Sequence, residues 1–124
     1  MKLNHLNLCV NDLTEARLFF EQIFDFKLLG QKGDAIAAMS DGEGFSLVLS
    51  SFSKPGAQRP AYPQDFHLGF YRDTPEEVDA FYNRLLSSGI PVDQGPRKIR
   101  NGYTLYFSAL DGILFEVTSF AGSS

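Results

Sequence analysis

The sequence predicts an α+β fold: two βαβββ modules forming a curved mixed sheet, with the helices on its outer face. Three observations predict it. The chain repeats itself at an offset of 62 residues, capping signals recur in matching places, and each half ends near an Asp-Gly pair. His5 in LNHLNLCV and His67 in DFHLGFYR are 67 − 5 = 62 apart, and they are the only two histidines. At the same shift Asp12 meets Thr74, Glu15 meets Glu77, Phe19 meets Phe81, Phe20 meets Tyr82 and Ile23 meets Leu85. Equivalent positions on paired strands can converge on one point, so a repeat of this kind can build a metal site from few residues.

Residues 2–10 alternate in character, as a half-buried strand does. Leu6, Leu8 and Val10 face one way, and His5, Asn7 and Cys9 the other. Asp12 with Glu15 three residues later marks a helix start. Ala16, Phe19, Phe20 and Ile23 then recur at helical spacing and define its buried stripe. Strands are expected near 27–32, 35–40 and 45–51, the last two joined through Asp41-Gly42, because Gly takes the positive φ of a tight hairpin without penalty.

Residues 52–65 carry three prolines and no periodicity, and read as a linker. A strand near 66–71 restarts the plan. Thr74-Pro75-Glu76-Glu77 opens a helix with an N-cap, a first-turn Pro and a closing Glu. Val78, Phe81 and Leu85 give its apolar face, and Gly89 with Pro91 ends it. Strands follow near 92–97, 103–109 and 113–119, with Asp111-Gly112 between the last two. The closing hairpins align at 111 − 41 = 70, so the second half has gained eight residues, expected within GPRKIRNGY. At that offset Ser46 answers to Glu116. The expected organisation is one domain over 1–124, with module 1 at about 1–51 and module 2 at about 66–120.

Composition excludes several function classes. A net charge of −4 argues against a nucleic-acid surface, which needs a basic face. No apolar run approaches the roughly 18–20 residues of a membrane span, and the N-terminal segment lacks a signal-peptide core. One cysteine forms no internal disulfide. A cytoplasmic setting is expected.

Strand parity groups the candidate site residues. Leu114, Glu116 and Thr118 share one face of the last strand, opposite Ile113, Phe115 and Val117. His5, His67 and Glu116 all lie on the less apolar face of their strands. A carboxylate between Phe115 and Val117 is costly to bury alone. Two neutral imidazoles and a carboxylate around a cation offset that cost and leave coordination positions open for substrate or water. Taken singly, each histidine would be an ordinary half-buried strand residue, and Glu116 a solvent-exposed one on the open face of a sheet. Cys9 reads as a small buried hydrophobe. Asn7, Ser46, Thr104, Tyr106 and Ser108 line a cleft or simply form the polar face. Lys98 and Arg100, with Arg97, sit in the expected insertion, where they form a solvated loop or an anion clamp.

The segments LNHLNLCVNDLTEARLFFEQIFDF, FHLGF and YFSALDGILFEV together resemble the vicinal oxygen chelate superfamily, the group of glyoxalases, bleomycin-resistance proteins and extradiol dioxygenases. Ala109-Leu110 stands where Asp-Pro is common. The resemblance implies ligands on the first and last strand of each half, which here are His5, His67, Ser46 and Glu116. Ser46 departs from glyoxalase I, which has a carboxylate there. Three ligands are closer to the fosfomycin thiol transferases and extradiol dioxygenases, although Asn7 stands where the former use Thr.

The resemblance therefore implies an enzyme holding a divalent metal (Mn, Zn, Ni or Fe) on His5, His67 and Glu116. Tyr106 is expected to donate a hydrogen bond to an oxyanion, so Glu116 and Tyr106 are the catalytic candidates. Asn7, Ser46, Thr104, Lys98 and Arg100 are candidates for binding a small-molecule substrate, with or without a thiol co-substrate. The reactions implied are isomerisation, thiol addition and oxygenation, in that order. A metal-free binding protein of the bleomycin-resistance type is the alternative, and an extradiol-type dioxygenase the third. A homodimer is also implied, with neither nucleic acid nor membrane as partner.

Overall fold

Alternation in the first segment forms strand β1 (His5–Val10), which is shorter than the expected 2–10 because pairing begins at His5. Leu8 and Val10 are buried, and His5 and Asn7 are exposed. The structure is a computed structural model that describes residues 1–52 and 61–121, so the expected linker at 52–65 lies partly outside the described residues. Two compact units follow the two modules, Met1–Ala61 and Tyr62–Ser124.

In the first unit, helix α1 (Leu13–Phe24) begins where Asp12 leaves the helical region and its Oδ1 accepts from the Glu15 amide at 3.0 Å. That amide otherwise lacks a partner, so the cap stabilises the first turn. Asp12→Ala is expected to cost about 1 kcal/mol. Urea unfolding checks it, and an unchanged midpoint would refute the cap's role. Leu13, Ala16, Phe20 and Ile23 form the buried stripe and pack on the sheet. Asp25 ends the helix in the left-handed region at φ 60°.

Strands β2 (Lys27–Lys32), β3 (Ile36–Ser40) and β4 (Ser46–Ser51) follow as expected. The order is β1-β4-β3-β2, with β1 parallel to β4 and the other pairs antiparallel. Leu47 and Leu49 join Leu8 and Val10 on the buried side, where α1 lies. The opposite side carries His5, Asn7, Ser46 and Ser50.

The second unit repeats the plan with β5 (His67–Tyr71), α2 (Pro75–Ser87), β6 (Arg97–Ile99), β7 (Gly102–Ala109) and β8 (Ile113–Ser119), in the order β5-β8-β7-β6. Thr74 caps α2 by accepting from the Glu77 amide at 3.2 Å, and Pro75 occupies the first turn. Val78 and Leu85 are buried, and α2 packs on β7 and β8. The Tyr103 hydroxyl on β7 also donates to Asp79 of α2 at 2.6 Å.

The eight strands hydrogen-bond as two four-stranded mixed sheets, one in each module. Two expectations need correction. The strand expected at 92–97 begins only at Arg97, because Pro91 and Pro96 have no amide to donate to a ladder. The extra residues of module 2 therefore fall ahead of the place expected for them. Helix and sheet are joined by two residues in module 1 (25–26) and by nine in module 2 (88–96).

Candidate metal and substrate site

The polar face of the second sheet gathers His67, Glu116 and Tyr106. Glu116 sits mid-strand on β8, with Gly69 of β5 beside it on one flank and Tyr106 of β7 on the other. A Cβ at Gly69 would lie 3.7 Å from Glu116 Oε2, so the absent side chain leaves the carboxylate open from that side. Tyr106 Oη donates to Glu116 Oε1 at 3.0 Å. His67 Nε2 lies 3.3 Å from the other oxygen, Oε2, and the two side chains are 40% and 23% exposed. Both oxygens of the carboxylate are thus addressed, one by a hydroxyl and one by an imidazole.

The second ring nitrogen decides what His67 presents. Its Nδ1 lies 2.9 Å from the carbonyl oxygen of Asp65, and a carbonyl only accepts, so Nδ1 carries the proton. In the neutral ring Nε2 is then a lone pair pointed at a carboxylate oxygen. Two acceptors face each other at 3.3 Å, and a proton or a cation between them relieves the repulsion. His5 follows the same rule in the first unit. Its Nδ1 lies 2.7 Å from Asn4 Oδ1, again an acceptor, which leaves Nε2 to bind. Hydrogen bonding of this kind at the far nitrogen sets the tautomer of metal-ligating histidines.

Burial and then the hydrogen bond to Glu116 raise the Tyr106 pKa above its usual 10, while the Arg100 and Arg97 charges pull it down. Tyr106 is therefore a protonated donor at neutral pH, with its hydrogen committed to Glu116. Among the described residues there is no group of three or more His, Cys, Asp and Glu able to hold a metal. The second unit supplies a pair, and His5 stands at the corresponding place on β1 of the first.

Several sequence-predicted residues fall elsewhere. Register corrects the pairing of Ser46 with Glu116. His5 pairs with Ser46 and Asn7 with Val48, whereas His67 pairs with Leu114 and Gly69 with Glu116. The counterpart of Glu116 is therefore Val48, and that of Ser46 is Leu114. The cause is loop length: five residues (41–45) join β3 to β4, and three (110–112) join β7 to β8, which changes the offset by two. A carboxylate is absent from module 1 at this position because the place is held by an apolar residue.

Lys98 is also corrected as a binding residue. It pairs with Tyr103, whereas Arg97 pairs with Thr104, so Arg97 shares the Tyr106 face and Lys98 the opposite one. Thr104 is 3% exposed and its hydroxyl is bonded to that of Thr118, so it braces the sheet and does not meet a ligand. Asn7 is exposed and its Oδ1 accepts from Ser50 at 2.8 Å.

A cavity of about 440 Å³ adjoins this face, within the second unit. Tyr106 lines it, so one residue both touches the carboxylate and forms the cavity wall. Arg97, Asp93 and Gln94 supply its other polar groups. Sequence reasoning missed Asp93 and Gln94, which carry no motif, and it missed Asp65 and Asn4, whose oxygens set the histidine tautomers. Gly69 was findable, as the residue two after His67 on the same face.

The family model of the glyoxalase/bleomycin resistance protein/dioxygenase superfamily matches residues 2–117. The chain belongs to that superfamily. Within it, a metallothiol transferase FosB from Shouchella clausii is 30% identical, over 93% of this chain and 77% of its own length. The solved structure of a possible glyoxalase from Bacillus cereus is 36% identical, with a TM-score of 0.82 over 95% of this chain and 98% of that one. FosX from Listeria monocytogenes, an E126Q mutant solved with Mn(II) and a dihydroxypropylphosphonic acid, shares the fold at 24% identity. Its TM-score is 0.74 over 95% of this chain and 89% of that one. The βαβββ modules are those of the superfamily. No helix among the described residues is long and apolar enough to cross a membrane.

Proposed function

We propose that this superfamily member is a divalent-metal enzyme that joins a thiol to a small oxygen-bearing electrophile, with His5, His67 and Glu116 as the ligands. The observation that carries the reading is His67 Nε2 set 3.3 Å from the Glu116 carboxylate, with Nδ1 turned to the Asp65 carbonyl. His5 is assigned as the third ligand from its equivalence in the repeat and its matching Nδ1 hydrogen bond. The donors fit Mn, Fe, Ni or Zn, since two imidazoles and one carboxylate suit borderline cations and leave positions free. A cation held there acts as a Lewis acid toward a substrate oxygen.

The chain's own residues do the rest. Tyr106 holds one carboxylate oxygen so that the other points at His67. Arg97 and Arg100 make the approach to Tyr106 electropositive, which favours an oxygen gathering negative charge. No described side chain beside this pair is an evident general base, a circumstance suited to a thiol co-substrate, which ionises more readily than an alcohol or water. The 30%-identical metallothiol transferase supports placing thiol addition ahead of isomerisation, the reaction ranked first from sequence.

The test is a screen of small epoxides and carbonyl compounds with thiols, against a panel of Mn, Fe, Ni and Zn. Turnover should need both thiol and metal and should stop on chelation. Turnover without thiol would restore isomerisation, and a ligand bound equally well after chelation would favour the metal-free binding reading. The dimer belongs to the same proposal, and a monomeric mass in analytical ultracentrifugation at micromolar protein would remove it.

A further inference from the structure

The cavity beside Tyr106 carries both signs of charge and neutralises neither. Asp93 and Arg97 line it, and among the described residues neither forms an ion pair. Both are exposed, so the fold does not depend on them. An Asp and an Arg four residues apart on a surface ordinarily find each other or point into open water. These two border one concave space, whose lining also includes the apolar Leu114.

The wall bearing Asp93 belongs to the connection 88–96, the part of module 2 with no counterpart in module 1. It is seated on the helix. A Cβ at Gly95 would stand 3.4 Å from the Tyr82 ring, so the backbone there lies close against α2. Arg97 follows directly and is held by its pairing with Thr104, which places it on the Tyr106 face. The acidic and basic groups are thus carried by two anchored segments, at a volume within the usual range for small-molecule sites.

We propose that this cavity binds a small zwitterion, its carboxylate on Arg97 and its ammonium on Asp93, with an apolar side chain toward Leu114. The Gln94 amide can serve either end. A zwitterion satisfies both protein charges at once, whereas a plain anion or amine leaves one of them unpaired. The inference rests on the proposed function only in taking the cavity's occupant to be a substrate or co-substrate, which makes its class that of amino-acid-like molecules.

L-Methionine is the probe, because it is zwitterionic and has no thiol to capture the metal. The comparison compounds are 3-(methylthio)propylamine, which lacks the carboxylate, and 4-(methylthio)butyrate, which lacks the ammonium. Binding is measured by calorimetry on the metal-loaded protein and again after chelation. Methionine should bind at least about tenfold more tightly than either analogue, each lost charge contact being worth a factor of that order. Asp93→Asn should abolish its advantage over the butyrate, and Arg97→Gln its advantage over the amine.

Chelation should leave methionine binding within about threefold, since neither Asp93 nor Arg97 is among the proposed metal ligands. Equal affinity for methionine and butyrate, with Arg97→Gln alone having an effect, would reduce the cavity to an anion site and overturn the proposal. So would methionine binding that chelation abolishes while both variants spare it, or no binding by any probe. Metal content, assayed on the same samples, reports separately on the metal reading, so failure of the one is distinguishable from failure of the other.

Discussion

Glu116→Gln is expected to weaken divalent-metal binding by at least about a hundredfold, while leaving the fold intact. The substitution keeps the shape and removes the one negative charge among the proposed ligands. Losing even a residue that merely orients a ligand typically costs ten- to a hundredfold, so losing the charged ligand itself costs more. Glu116 is partly exposed at the edge of a cleft, so the amide is tolerated and thermal unfolding of the metal-free protein should barely change. Tyr106→Phe gives the graded control. It removes only the hydrogen bond to Oε1 and should cost about tenfold. Metal per chain by atomic emission, with competition against a fluorescent chelator, measures both. Wild-type affinity in Glu116→Gln would eliminate the three-ligand reading.

Phe115→Ala should destabilise the protein by about 3–5 kcal/mol, enough to lower the melting temperature by roughly 10 °C or more. Phe115 is fully buried on β8. It stacks on Phe107 with ring centroids 5.2 Å apart and 14° between the planes, and on Phe70 at 6.4 Å and 24°. Truncation leaves a void bordered by two flat rings, which cannot close without moving β5 or β7. Phe115 is also the residue next to Glu116. Its loss should therefore loosen the strand that presents the carboxylate, and metal affinity should fall along with stability. Differential scanning calorimetry checks the first effect. A loss below about 1 kcal/mol would show that Phe115 is not central to the core of its unit.

How much was legible in the sequence follows from what each pattern depends on. Asp12, Thr74 and the Phe-rich stripes are local signals, since a cap or an amphipathic face is set within one turn of its own residues. Both helices accordingly fall where they were read, at Leu13–Phe24 and Pro75–Ser87. Strand parity is local as well, which is why His67 and Glu116 were placed on one face before any pairing was known. Register is not local. Ser46 was matched to Glu116 by counting from the Asp-Gly pairs, and the two-residue difference between hairpin loops 41–45 and 110–112 moved the match to Val48. Lys98 failed for a related reason. One residue along a three-residue strand changes the face, and Pro91 and Pro96 delayed the strand's start to Arg97.

By itself the sequence determined the duplicated βαβββ plan, both helices with their caps, and which histidines and which carboxylate face away from the apolar layers. These depend on periodicity and on short-range hydrogen bonds, whose information lies within a few residues. Only the tertiary structure decided that Glu116 lies against His67 and under Tyr106, that Asp65 dictates the tautomer, and that Arg97 and not Lys98 turns toward the cavity. Those outcomes depend on which strands pair and in what register, and that is set by the packing of the whole unit.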